Sequence, residues 1–389
     1  MKKYLLYLVL FLCLSCKKED TARIRNPQQE IPFDSATEAL PVNKLQYVCS
    51  HNSYRLKTDP AIYKLVNAIR GFLPSNLDPH GWDYTHLPIP DQFDLGVRGL
   101  ELDIYNDPAG GRYFNRLGNK LVGKPVPSYV DELKQPGMKI IHIPDFDYNT
   151  NYFTFKSALT AIKTWSSAHP QHLPLFILVE LKTTSVGSVI PGFTKPLPFS
   201  AAAMDSVDQE VIDIFGAGNP QLFKPDDLRG SYSTLKEAVL NKGWPTVAAM
   251  RGKVILIVYE NDNYLTGHPN LEGRQMFQFT DEHSPNAAFI RIDEAGDDFA
   301  HVQSLVNAGY IVRSRTDEET HQARNGDYTQ RDEAFTSGAQ ILSTDYYRPD
   351  ARAGKPGWTD FHVNFDDISF ARVNILNAPD DLKGKYVRE

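Results

Sequence analysis

The sequence predicts an α/β fold, a single-domain TIM-type (β/α)8 barrel in which eight parallel strands close on themselves with helices outside. Three observations predict it. From Leu45 onward, short β-rich runs alternate with helical patterns. The runs Leu175–Leu181 (LFILVEL) and Lys253–Tyr259 (KVILIVY) are almost continuously apolar, as strands covered on both faces are. Chemistry-bearing residues fall at the C-terminal ends of many of the runs, where such a barrel keeps its site. An open doubly wound sheet is the competing architecture, but the Gly-x-Gly turn that would follow its first strand is missing.

The elements follow in order. Leu45–Cys49 is the first expected strand and leads into Ser50-His51-Asn52-Ser53. Ile62, Leu65, Val66 and Ile69 recur at helical spacing over Ala61–Phe72. Pro74–Pro90, rich in proline, glycine and aromatics, reads as a long loop, and long ordered loops are often functional. A helical turn at Asp91–Gly96 precedes the second strand, Val97–Tyr105. Lys139–Ile143 (KIIHI) is expected as the third strand and Phe153–Ala168 as its helix. Leu175–Leu181 is the fourth, followed by helices at Ala201–Phe215 and Leu235–Leu240. Lys253–Tyr259 is the fifth, and Asn261–Asp281 reads as loop. Ala288–Ile292, Tyr310–Ser314 and Gln340–Ser343 complete the eight, with helices at Phe299–Ala308, stopped by Gly309, and Arg331–Thr336. The tail beyond Pro349 is expected to pack as loop with a closing strand or helix.

The chain has 389 residues, 41% of them hydrophobic, and a net charge of −7 with no long block of one sign. That balance argues against nucleic acid as a partner. The start, MKKYLLYLVLFLCLSC, has a basic head and an apolar stretch too short for a comfortable membrane span. It resembles a bacterial lipoprotein signal, which implies removal of residues 1–15 and lipidation of Cys16. Residues 16–42 are polar and contain Pro27, Pro32 and Pro41, so they read as a tether; residues 43–389 form the expected domain. The implied location is the bacterial cell envelope, at the outer membrane or cell surface, held to the membrane by an N-terminal lipid. Once residues 1–15 are removed and Cys16 carries lipid, Cys49 stands alone in an apolar run, and a buried inert thiol is expected there.

The strand ends carry the chemistry. Glu101 and Asp103 lie two apart in VRGLELDIY, so on a strand they share a side. Two carboxylates that close resist joint ionisation, and a hard divalent cation resolves the conflict. The first strand delivers His51 and Asn52, the third His142 with Asp145 and Asp147 beyond it, the fourth Glu180 and Lys182. Later ends deliver Asp293, Arg313, Arg315, Asp345, Tyr346 and Tyr347. Asn52, Glu101, Asp103 and Glu180 offer oxygen ligands only, which suits Ca2+ better than Mg2+, and two histidines without cysteine do not make a typical zinc site. Two histidines with a hard cation suit phosphoryl transfer. Lys182, Arg313 and Arg315 are candidates to hold substrate phosphate, and equally to pair with Asp317 or Glu318. Tyr346 either stacks on substrate or packs. Asp145, Asp147, Asp293 and Asp345 are supporting groups on this reading. The remaining histidines read as surface or loop residues, with His86 the one to watch.

The ordered set of HN, ELD, a strand-borne histidine, and a strand-borne glutamate with lysine two later resembles the calcium-dependent phosphoinositide phospholipase C family, in its secreted bacterial branch. The flanks carry the same resemblance: SHNSY at Ser50, DYTHLPIPDQFDLGVRGLELDIY at Asp83, HIPDFDY at His142, RTDEET at Arg315 and STDYY at Ser343. It covers roughly Leu45 to Tyr347. It implies that Asn52, Glu101, Asp103 and Glu180 bind Ca2+, and that the inositol 2-hydroxyl attacks the neighbouring phosphate after losing its proton to Glu101 or Glu180. His51 would stabilise the charged phosphorane oxygens and His142 protonate the diacylglycerol oxygen, with exchange of those roles left open. The substrate would be a phosphoinositide lipid, cleaved to diacylglycerol and a cyclic inositol phosphate. Two other classes compete: a barrel phosphodiesterase for glycerophosphodiesters or sphingomyelin-type lipids, and a non-catalytic lipid-binding surface protein. The glycerophosphodiester branch usually follows its first histidine with Arg-Gly, where this chain has Asn-Ser. The complete set from His51 to Lys182 argues against loss of catalysis.

Overall fold

Strand β1 (Leu45–Ser50) lies at the middle of one continuous sheet in the computed structural model, which describes residues 34–72, 78–365, 370–387 and 389. The other strands are β2 (Gly99–Tyr105), β3 (Lys139–Ile140), β4 (Leu175–Leu181), β5 (Val254–Val258), β6 (Phe277–Gln278), β7 (Phe289–Arg291), β8 (Ile311–Arg315), β9 (Ile341–Thr344), β10 (Ala371–Val373) and β11 (Tyr386–Val387). Eight of them run parallel in the order β6-β5-β4-β2-β1-β9-β8-β7. A parallel bridge from Phe279 to Phe289 spans the remaining gap, so the barrel is nearly closed. The expected (β/α)8 architecture is the observed one.

The strands form where apolar runs meet cover on both faces. Every residue of β5 is buried, as are Leu175 to Val179 of β4. The helix Phe155–Ala168 turns Phe155, Leu159 and Ile162 onto the barrel and starts at a Thr154/Ser157 capping box. The helices Ala201–Phe215 and Phe299–Ala308 end at Gly216 and Gly309, both at positive φ. The tail closes the barrel floor as strands: β10 pairs antiparallel with β1, and β11 with β10. Cys49 is buried, free, and raised in pKa by burial and then by Glu101.

Two strand expectations need correction. Lys139–Ile143 is not a barrel stave: only Lys139 and Ile140 are strand, and they pair antiparallel with the end of β2. No space exists for it in the barrel, because β2 pairs with β4 directly over six residues, from Gly99 opposite Phe176 to Ile104 opposite Leu181. The missing stave is β6, inside the segment expected to be loop. With two residues it is too short to show a strand period.

Part of the expected tether is folded. Asp34 caps the helix Ser35–Glu38, Leu40 and Val42 are buried in the core, and Val42 N donates to Pro245 O at 3.0 Å. The expected signal, Cys16 and the rest of the tether lie outside the described residues, as do residues 73–77 of the long loop. Among the described residues no helix is long and apolar enough to cross a membrane.

Gly99 sets how closely β1 and β2 approach. It lies opposite Cys49, and a Cβ built on it would stand 2.7 Å from Cys49 Cβ and 2.8 Å from its Sγ. Gly99→Ala is therefore expected to destabilise the protein by about 1–3 kcal/mol, read as a lower midpoint in urea. An unchanged midpoint would mean the two strands part without cost.

Candidate active site

The β2–β4 register brings the carboxylates together. Asp103 and Glu180 are directly opposed across the ladder, and Glu101 shares their face two residues back. One oxygen from each of Glu101, Asp103 and Glu180 lies within 4.8 Å of the others. Glu101 is buried, and Arg313 Nη2 donates to its Oε2 at 2.9 Å. Asp103 is fully buried, and among the described residues neither of its oxygens has a hydrogen bond of good geometry, although the Tyr54 hydroxyl lies against it. Lys182 Nζ stands 3.1 Å from Asp103 Oδ2, as an ion pair without hydrogen-bond geometry, and donates to Glu180 Oε1 at 3.0 Å. Burial pushes the Asp103 carboxyl up to about 7; Lys182 opposes that rise and Glu180 and Glu101 add to it. Burial also weighs against charge on Glu180, but Lys182, with His51 and His142 adding to it, holds that carboxyl low. A buried carboxylate with an ion pair but no well-formed hydrogen bond, beside two others, is a set that fits a hard cation, since Ca2+ takes about six to eight oxygens.

Asn52 follows β1 in the left-handed region, φ 47°, which asparagine tolerates. Ser53 N donates to Glu101 O at 2.9 Å and Ser53 Oγ accepts from Glu101 N at 2.8 Å. The turn carrying Asn52 is thereby pinned along β2. Asn52 Nδ2 donates to Tyr84 OH at 3.2 Å, while its Oδ1 is 3.5 Å from Tyr54 OH, a group that lies against Asp103.

Both histidines are held by an aspartate that is itself held by an arginine. His51 Nδ1 is 2.7 Å from Asp345 Oδ1, and Arg315 Nη2 donates to Asp345 Oδ2 at 3.4 Å. His142 Nδ1 is 2.7 Å from Asp147 Oδ2, which also accepts from Arg55 Nε at 2.9 Å and Nη2 at 2.7 Å. Thr58 donates to the other Asp147 oxygen at 2.5 Å. Burial would raise both aspartates, but His51 and Arg315 at Asp345, and Arg55 and His142 at Asp147, hold them below the usual carboxylate range. Ionised carboxylates only accept, so each Nδ1 carries a proton and each Nε2 is the atom left for substrate. Burial lowers the His142 pKa, with Asp147 opposing. The Nε2 of His51 is 3.6 Å from Glu101 Oε1, which ties the first histidine to the carboxylate cluster.

The expected phosphate-binding residues are otherwise engaged. Arg313 is buried and serves Glu101, Asp293 and Ser343 Oγ, the last at 3.1 Å. Arg315 spans Asp345 and the Asp317 carbonyl. Lys182 sits among the carboxylates; burial works against its charge, but Asp103 and Glu180 raise its pKa well above the usual value. Tyr346 is buried with Tyr84, Trp358 and Phe361, its hydroxyl without a hydrogen-bond partner among the described residues. Asp145 is a structural staple that accepts from Leu117 N at 2.8 Å and Thr194 N at 2.6 Å. His86 is buried, pushed down to about 4 by that burial, and its Nε2 is 2.8 Å from His51 O. It therefore braces the His51 turn as a neutral ring. Sequence reasoning missed Arg55: nothing in SHNSYR distinguishes an arginine that will be fully buried from a surface one.

A family model described as phosphoinositide phospholipase C, Ca2+-dependent, matches residues 40–375. No curated protein matches the chain. Among solved structures, a calcium-dependent phosphoinositol-specific phospholipase C from the Gram-negative bacterium Pseudomonas sp. aligns at 17% identity and TM-score 0.50, covering 85% of this chain and 98% of that one. A Ca2+-dependent phosphatidylinositol-specific phospholipase C from Streptomyces antibioticus aligns at 16% identity and TM-score 0.49, over 79% of this chain and 96% of that one. The Pseudomonas likeness concerns the barrel fold. The family match spans β1 to β10 and every candidate residue from His51 to Tyr346, and on it the chain belongs to the Ca2+-dependent phosphoinositide phospholipases C.

Proposed function

We propose that this enzyme cleaves the glycerol-side phosphodiester of phosphatidylinositol-type lipids, releasing diacylglycerol and a cyclic inositol phosphate. The observation that carries the reading is the Glu101–Asp103–Glu180 cluster with His51 and His142 each fixed through Nδ1. In this reading Asn52, Glu101, Asp103 and Glu180 hold Ca2+. When bound, the ion supplies positive charge that offsets the negative charge gathering on the phosphate.

The remaining work falls to side chains. The inositol 2-hydroxyl gives its proton to a carboxylate as its oxygen bonds to phosphorus. Glu180, with a side chain 28% exposed, is better placed for this than Glu101, which is 1% exposed and bound by Arg313. The bond from phosphorus to the glycerol oxygen breaks, and His142 Nε2 gives that oxygen a proton. His142 Nε2 must carry a proton before this step, which burial opposes and Asp147 and an incoming phosphodiester anion favour. Asp147, anchored by Arg55, then faces an imidazolium. His51, once its Nε2 also carries a proton, donates from that atom toward the phosphate oxygens, with Asp345 and Arg315 behind it.

Exposed Ile69, Leu121, Val189 and Ile190 support work at a lipid surface. Ile69 N donates to Val66 O, Ile190 N donates to Val186 O and Leu121 precedes Val122, so they adjoin in the chain a cluster that includes Val66, Trp82, Ile143 and Val186, and the Trp82 ring meets His142 edge-on at 6.4 Å. The reading extends to residues 1–16: export, lipidation at Cys16, and anchorage at the bacterial cell envelope.

Purified protein should release diacylglycerol from phosphatidylinositol vesicles with calcium present and lose that activity under a calcium chelator. Turnover of phosphatidylcholine, sphingomyelin or glycerophosphodiesters at equal or higher rates would overturn the substrate assignment. His142→Ala is expected to lower turnover by about a hundredfold or more while its thermal midpoint stays near that of the parent. Near-normal turnover in that variant would remove His142 as the proton donor.

A further inference from the structure

Three carboxylates converge in the barrel mouth, and among the described residues Arg313 and Lys182 are the arginine and lysine that answer them. Arg313 serves Glu101 and, through its other amino group, Asp293. Among the described lysines and arginines, Lys182 serves the other two, 3.1 Å from Asp103 Oδ2 and 3.0 Å from Glu180 Oε1. Its position is built in. Lys182 N donates to Ile104 O at 3.0 Å, so the β2–β4 ladder continues through it. Residues 180 and 182 therefore project to one side, and the ammonium is laid across the carboxylate that closes β4. Asp103 is fully buried, its oxygens without a hydrogen bond of good geometry among the described residues, and leaving such a group without a nearby positive charge is costly.

We propose that the Lys182 ammonium is a tethered counter-cation of the metal-free site, displaced when Ca2+ binds, so that it sets the calcium concentration at which the enzyme is loaded. The inference rests on the reading of Glu101, Asp103 and Glu180 as calcium ligands. A calcium ion takes carboxylate oxygens at about 2.3–2.6 Å, and an ammonium about 3 Å from two of the same carboxylates occupies the space the ion needs. Like charges that close repel strongly in a site of low dielectric, so the two occupants exclude each other. The side chain has a way out, since 23% of it is exposed and its four-carbon stem is flexible. The displaced ammonium reaches the barrel mouth, where a phosphodiester anion would lie. Cation loading and the phosphate contact would then be linked steps of one side chain.

The test is calcium titration by calorimetry, with thermal midpoints measured in calcium and in chelator, on the parent, Lys182→Met, Lys182→Arg and Asp103→Asn. If the cluster binds calcium, Asp103→Asn binds far more weakly than the parent. Equal binding by those two would overturn the site itself, and it is read before any lysine variant. Given that, Lys182→Met should bind calcium tighter by about tenfold or more. Its midpoint should fall in chelator and recover in calcium, and Lys182→Arg should keep the parent affinity. Unfolding of Lys182→Met only when calcium is removed would support the same role. Parent-like or weaker calcium affinity in Lys182→Met, or failure to fold even with calcium, would show that the ammonium is a fixed structural partner and end the proposal.

Discussion

Asp103 faces Glu180 because β2 and β4 pair without an intervening strand, and the structure of the site depends on that one register. A slip of one residue would turn the carboxylates of Glu101 and Asp103 away from the interior and bring Leu100, Leu102 and Ile104 into it. The register is secured from several sides. Gly99 lets β1 approach closely, Ser53 bonds both backbone groups of Glu101, and Lys182 N extends the ladder past the end of β4. Apolar burial along β4 and β5 then holds in place a charge arrangement that would otherwise repel itself.

Around this cluster the barrel repeats one device. An arginine fixes an aspartate, and the aspartate fixes a histidine: Arg315, Asp345 and His51 on one flank, Arg55, Asp147 and His142 on the other. Each chain keeps its aspartate ionised in a buried place and selects the tautomer that leaves Nε2 available. The two differ in what lies beyond. His51 abuts Glu101 and is braced by the neutral ring of His86. His142 stands next to Trp82 and the apolar segments with exposed Leu121 and Val189. On the proposed reading, the second flank is where the acyl-bearing oxygen of a lipid would leave.

Much of this was legible in the chain because buried parallel strands leave long apolar runs, and LFILVEL and KVILIVY are two of them. ELD at Glu101 carries its own geometry, since residues two apart on a strand share a side. Other features leave no such mark. The two residues of β6 cannot show a period, and KIIHI looks like a stave although only its first two residues are strand, paired antiparallel with the end of β2. Charge is harder still. Arg313, Arg315 and Lys182 look like phosphate ligands by type, yet their partners are carboxylates fixed by tertiary packing. Asp147 and Asp345 appear as supporting groups in sequence, while Arg55 is recognisable only once Asp147 is found against it. Residue type is written locally, whereas a partner from the far side of the barrel is not.

The account stands on one convergence, that Asn52, Glu101, Asp103 and Glu180 share a single calcium ion. Anomalous diffraction from a crystal grown in saturating calcium tests it directly. The predicted result is one ion bonded at about 2.3–2.6 Å to the side-chain oxygens of these four residues. An ion bound elsewhere, or no ion with Lys182 still lying between Asp103 and Glu180, would contradict it.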